Sequence, residues 1–110
     1  MLASPAVRRT CLFETALQAR GLSTVWPTDD NAMLAAIRAI KVNGQSDKAR
    51  ETLRASSRAL VKAGADLQFV ACSEFSLIAD SVADDANAVD TIDLLVRAIV
   101  NFSQTGRHTR

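Results

Sequence analysis

An α/β fold, a small parallel sheet flanked by helices, is the class this sequence predicts. Helical patterns alternate along the chain with short apolar runs, the arrangement of a sheet covered by helices. Leu67 to Ala71 is such a run, short and apolar on average, as a strand in a covered parallel sheet should be. It follows a helical pattern after only a brief Gly64-Ala65-Asp66 connection, a short loop typical of α/β units. At its end stands Cys72, and open α/β sheets place their ligands beyond the carboxyl ends of their strands.

Each element has its own justification. Met1 to Ser4 is apolar and stops at Pro5, like the last turn of a strand whose beginning is absent. From Val7 to Arg20, the spacing of Leu12, Phe13, Ala16, Leu17 and Ala19 predicts a helix, and Gly21 ends it. Leu22 to Trp26 is a short strand candidate, ended by Pro27, which cannot donate to a ladder. Thr28, Asp29 and Asp30 supply a cap and negative charge for a helix burying Met33, Leu34, Ile37 and Ile40 and stopping at Asn43-Gly44. Ser46 and Asp47 open the next helix, with Ala49, Leu53, Leu60 and Val61 on its inner side. Arg50, Arg54, Arg58 and Lys62 line the other side and are expected to form a solvated face, since Asp47 and Glu51 lie close by and no aromatic is interleaved. After Cys72, Ser73 to Ala79 predicts a short helix, then an acidic loop through Asp84 and Asp85. Asn87 to Val89 is a last strand candidate. Asp90 or Thr91 caps a final helix whose expected buried side is Ile92, Leu95, Val96, Ile99 and Val100. Gly106 ends that helix, and residues 107–110 are expected to be a disordered tail.

Composition narrows the function classes. The chain has 110 residues, enough for one small domain, and its apolar fraction of 48% suits a compact fold. Thirteen basic residues against twelve acidic ones leave a net charge of +1, with no electrostatic footprint for nucleic acid or an anionic membrane. No apolar run approaches the roughly 20 residues needed to span a bilayer. Arg8 and Arg9 are followed by no signal-type apolar region. The two cysteines, Cys11 and Cys72, form neither a metal spacing nor a disulfide framework, which suits a reducing cytoplasm. His108 is the single histidine, so a histidine-based metal site or triad is not expected.

The candidate chemistry centres on Cys72. A cysteine between a strand end and a helix start meets free backbone N–H groups and the positive end of a dipole, which should stabilise its thiolate and lower its pKa. A buried hydrophobe is the alternative role. Ser73 and Glu74 lie in the first turn, either as cap and dipole partner or as groups that bind substrate and orient the thiol. Cys11 lies within a helical pattern beside Leu12 and Phe13 and is expected to serve packing. Ser4 and Thr10 are hydroxyls near a strand end, with cap duty or carboxylate binding as alternatives. Asp90-Thr91 is a cap signal whose turn should share a sheet edge with Cys72.

Ala71-Cys72-Ser73-Glu74-Phe75 resembles the Gly-Cys-Thr-Glu motif around the second catalytic cysteine of the aspartate/glutamate racemases, cofactor-independent enzymes with two cysteines. Leu2-Ala3-Ser4-Pro5-Ala6 is similar to the end of the strand carrying that family's Ala-Thr-x-x-Thr segment. Thr10, Phe13 and Leu17, Trp26-Pro27, Lys41 through Gly44, Gly64-Ala65-Asp66 and Asp90-Thr91 follow in the family's order. The resemblance implies that residues 1–106 are the second lobe of a two-lobed racemase, a flavodoxin-like lobe with its first strand truncated. It implies amino-acid racemisation without pyridoxal phosphate or metal, one thiolate removing the α-proton and the other thiol returning a proton to the opposite face. Cys72 would be one of the pair, Ser73 and Glu74 would stand at the substrate, and Ser4 and Thr10 would bind its carboxylates. The motif's glycine is Ala71 here and its threonine Ser73. The first lobe's cysteine segment is absent, and Cys11 does not replace it. A homodimer or a separate chain would then supply the missing lobe, for a small amino-acid substrate. A hydantoin racemase-like enzyme and an inactive, self-associating module are the alternative expectations, with a receiver-type signalling domain behind them.

Overall fold

The computed structural model describes residues 1–105; the expectations for Gly106, His108 and the tail lie outside the described residues. The described residues form six α-helices, one 3-10 turn and a small parallel sheet. In order they are α1 (Pro5–Thr10), α2 (Leu12–Gln18), α3 (Asp30–Asn43), α4 (Asp47–Lys62), β1 (Gln68–Val70), α5 (Ser73–Ser76), the 3-10 turn (Ala79–Ser81), β2 (Ala88–Asp90) and α6 (Thr91–Thr105).

The α/β class holds in this form. Strands β1 and β2 pair in parallel, with Gln68 opposite Ala88, Phe69 opposite Val89 and Val70 opposite Asp90. On the other side of β1, Leu2 makes a parallel bridge to Val70. Its N–H donates to the Phe69 carbonyl at 2.8 Å, and its carbonyl accepts from the Ala71 N–H at 2.9 Å. Strand β1 is therefore central, with β2 on one side and this single bridge on the other. Leu22 to Trp26 forms no ladder. The Met1 amino group donates to the Val25 carbonyl at 2.8 Å, and Pro27 then closes the stretch.

Helices α3 and α4 cover the sheet through one apolar cluster. Met33, Ala36, Ile37 and Ile40 from α3 meet Ala49, Leu53 and Leu60 from α4, together with Leu2, Val70, Phe75 and Ile78. Both helices begin where their caps place them. The Asp29 carboxylate accepts from the Ala32 N–H at 2.9 Å, and the Ser46 hydroxyl accepts from the Ala49 N–H at 3.1 Å.

A buried polar lock joins α4 to β1. Period-2 alternation turns Gln68 and Val70 to the core and Phe69 away from it, and Gln68 is 1% exposed. The Ser57 hydroxyl donates to Gln68 Oε1 at 2.7 Å, and Gln68 Nε2 donates to the Ser57 carbonyl at 2.9 Å. The Ala83 N–H closes the network by donating to Ser57 Oγ at 3.0 Å. Nearby, Arg50 Nη1 donates to Asp80 Oδ1 at 3.0 Å and Ser81 Oγ at 2.9 Å, and Nη2 donates to Gln45 Oε1. The basic row of α4 is thus not uniformly solvated: Arg50 and Arg54 are half-buried, whereas Arg58 and Lys62 are exposed.

Four further expectations are corrected. The helix from Val7 to Arg20 is broken at Cys11, which adopts a left-handed conformation with φ 56° and is exposed rather than packed. That conformation is costly for a residue with a Cβ. Here the Cys11 N–H reaches the Arg8 carbonyl at 3.1 Å, and the Thr15 N–H and hydroxyl reach the Cys11 carbonyl at 3.0 and 2.8 Å. Leu12, Ala16 and Ala19 are exposed in consequence, while Phe13 and Leu17 are half-buried. The helix after Cys72 ends at Ser76 and resumes only as the 3-10 turn. Leu34 and Val61 are half-buried rather than core. Finally, no residue of α6 is buried. Helices α3 and α4 bury their apolar sides by packing on one another, whereas the main contacts of α6 are with β2 and the four-residue α5.

Replacing Ser57 by alanine would leave Gln68 Oε1 and the Ala83 N–H buried without partners. We expect Ser57→Ala to cost about 1–3 kcal/mol, measured by urea denaturation. A change within the scatter of surface substitutions, about 0.5 kcal/mol, would contradict the lock.

Candidate functional site

Three chain segments meet at the carboxyl end of the sheet. Strand β1 delivers Cys72, β2 delivers Asp90 and Thr91, and the Leu2 bridge leads into Ser4. The chain bends at Ala3 after the bridge, and Ser4 then opens α1.

Cys72 is the N-cap residue of α5, in extended conformation, and is half-buried. Its thiol lies 3.4 Å from Glu74 Oε1 and donates to it. Burial pushes the thiol above its ordinary pKa. The N–H groups of Phe75 and Glu74 pull it back, and the Glu74 carboxylate, as acceptor and negative charge, pushes it up again. The expectation of a lowered pKa is therefore corrected. Helix α5 has four residues, too few aligned peptide dipoles to outweigh desolvation and a neighbouring carboxylate.

Asp90 is the organising acid of the neighbouring strand end. Its Oδ2 accepts from the Ser76 hydroxyl at 2.6 Å, and its Oδ1 accepts from the Ile92 N–H at 3.0 Å. The Thr91 hydroxyl donates to the Val70 carbonyl at 3.0 Å, tying the start of α6 to the strand that carries Cys72. Ser76 was not among the candidates read from the sequence. The signal for it is the position of Asp90 at a parallel strand end beside the short helix after Cys72.

The remaining candidates divide. Ser73 is the first residue of α5 and exposed, with Cys72 rather than Ser73 at the cap position. Ser4 caps α1, its hydroxyl accepting from the Val7 N–H at 3.4 Å. Thr10 lies at the far end of α1, roughly 9 Å along its axis. Its hydroxyl donates to the Val7 carbonyl at 2.8 Å and accepts from the Leu12 N–H at 3.4 Å. The structure thus gathers Cys72, Glu74, Ser76, Asp90 and Thr91 at one end of the sheet, whereas Ser4 is engaged as the cap of α1 and Thr10 lies at that helix's far end.

A cavity of about 350 Å³ opens elsewhere, between Leu17, Leu22, Val25, Asp66, Leu67 and Phe69. Asp66 and Leu67 precede β1, so this cavity sits at the amino end of the sheet, opposite Cys72. Among the described residues, no group of three or more His, Cys, Asp or Glu side chains could hold a metal ion, and no helix is long and apolar enough to cross a membrane. No protein-family profile, curated protein or solved structure matches this chain.

The geometry distinguishes the two thiols. With iodoacetamide at pH 8, exposed Cys11 should be alkylated before Cys72, as followed by peptide mass spectrometry. Glu74→Gln removes the charge that holds the Cys72 proton and should speed alkylation at Cys72 but not at Cys11. An unchanged Cys72 rate in that variant would show that Glu74 does not act on the thiol.

Proposed function

We propose that the Cys72 edge of the sheet is one half of an acid/base site for cofactor-independent racemisation of an amino acid, of the aspartate/glutamate racemase kind, within a flavodoxin-like lobe. The observation that carries this reading is the Cys72 thiol at the carboxyl end of the central strand, hydrogen-bonded to Glu74. A thiol beside a carboxylate can give its proton to a planar, carbanion-like α-carbon and, once Glu74 has taken that proton, can remove an α-proton from the same face as the thiolate. Ser73 and Ser4 are the hydroxyls available for the substrate's carboxylates. Inversion needs a second group on the opposite face, which another lobe or chain would provide. The free thiols of Cys11 and Cys72 suit a cytoplasmic setting.

A second reading, a module without turnover, is favoured by the uncovered apolar side of α6. One experiment separates the two. The chain is incubated with L-aspartate or L-glutamate in deuterium oxide, the α-proton followed by NMR and the enantiomers by chiral chromatography. Slow exchange without inversion, lost in Cys72→Ala, is the expected outcome for a half-site. Absence of exchange would favour the module, and robust exchange with inversion by the lone chain would overturn the half-site.

A further inference from the structure

Strand β1 is paired along its length with β2, but on its other edge the Leu2 bridge covers only its carboxyl end. Successive residues of a strand turn their backbone groups to opposite edges. The Gln68 N–H goes to the Asn87 carbonyl on the β2 side, and the Phe69 carbonyl takes the Leu2 N–H on the other. The Phe69 N–H faces that same second edge, as does the carbonyl of Leu67 two residues before it. Neither has a partner among the described residues. Across the cavity of about 350 Å³ runs a second backbone, Ser23 to Val25, whose N–H groups also reach no acceptor among the described residues.

Met1 and Leu2 show what fits between these two backbones. The Met1 amino group donates to the Val25 carbonyl at 2.8 Å, and the Leu2 N–H donates to the Phe69 carbonyl at 2.8 Å, so one stretch of chain ties both sides together. The cavity continues that line toward the amino end of β1, beside Asp66 and Leu67. Its two ends carry opposite charge. Met1 is buried, and desolvation lowers the pKa of its amino group to about 6. No carboxylate pairs with that amine among the described residues, and Asp66, exposed at the other end, joins no ion pair there either. We propose that the cavity binds a short apolar peptide as an added strand parallel to β1, its carboxylate against the Met1 amino group and its amino group toward Asp66.

Backbone, size and charge select that ligand. With the register of the Leu2 bridge continued, the last peptide residue lies opposite Gln68, its N–H on the Leu67 carbonyl and its carboxylate on the Phe69 N–H. Three residues of about 3.3 Å each reach from there to Asp66. The cavity lies at the small end of ligand pockets, which run from roughly 300 to 1,000 Å³. The middle residue shares the face of Phe69, where Leu17 and Leu22 line the wall, so an apolar side chain suits it. A fatty carboxylate would suit the apolar wall but leave the facing backbone groups unpaired, whereas strand addition satisfies them. This site lies at the end of the sheet opposite Cys72 and does not depend on what that thiol does.

Titration of the isotopically labelled full chain with the peptide Ala-Leu-Ala, from about 0.05 to 10 mM at pH 6 and followed by amide NMR, provides the test, a range that brackets the affinity of a ligand of this size. Saturable shifts are expected, largest at the Leu67, Phe69 and Val25 amides, with the Phe69 proton moved downfield by its new hydrogen bond. The C-terminal amide of the peptide should bind about tenfold more weakly, the loss of one charge-assisted contact. Asp66→Asn should weaken Ala-Leu-Ala by a similar factor but leave its N-acetyl form unchanged, and the unshifted core amides of this surface variant verify its fold. Cys72→Ala should bind as the parent chain does. Absence of saturation, largest shifts away from this cavity, equal affinity of acid and amide, indifference to Asp66, or tighter binding of decanoate at the same amides would each overturn the proposal.

Discussion

The hydrogen bonds between Ser57 and Gln68 are the constraint on which the arrangement of the molecule depends. Two three-residue strands and a one-residue bridge supply few ladder bonds, so the sheet cannot define its own position against the helices. The Ser57–Gln68 pair does so, because a glutamine buried opposite a helix is tolerable only in the register that satisfies both ends of its amide. The same Ser57 hydroxyl takes the Ala83 N–H, holding the segment between the 3-10 turn and β2 against α4. Strand β1 is pinned at its start by this network and at its end by Phe75 and Ile78, which pack into the cluster below. Cys72 inherits its place from those contacts.

At the strand ends, two effects that sequence patterns merge come apart. A cap position and a charged partner commonly go together at activated thiols, and there they act in the same direction. Around Cys72 they oppose one another. Two backbone N–H groups favour the thiolate, while burial and the Glu74 carboxylate favour the thiol, and the second pair prevails. The thiol at this strand end therefore holds its proton more firmly than a free cysteine does. The adjoining Ser76–Asp90 bond links α5 to the start of α6, so the helix carrying the open apolar side is anchored at the same edge as the thiol.

Helix α6 illustrates a limit of amphipathic patterning. Its apolar side is as regular as those of α3 and α4, and all three would be assigned to a core by periodicity. Burial, however, depends on what lies opposite. Helices α3 and α4 cover one another and the core face of β1, whereas α6 leaves a sheet shorter than itself and has nothing of comparable length to cover it. A regular apolar side is therefore no evidence of burial until an element is found opposite it.

The local chemistry of the sequence by itself determined the alternation of helices with short strands, the caps at Asp29 and Ser46, the core sides of α3 and α4, and the strand that ends at Cys72. Each depends on residues a few positions apart, where periodicity and side-chain capping act directly. The tertiary structure decided what depends on distant partners. It broke the first helix at Cys11, left Leu22 to Trp26 outside the sheet, turned Gln68 into the core against Ser57, and left α6 uncovered. It also reversed the expected direction of the Cys72 pKa, because burial and the approach of Glu74 are set by how the chain packs rather than by the cap position read along it. Spacing can nominate a thiol, a hydroxyl or an apolar side, but the environment that gives each its role is assembled only when the segments meet.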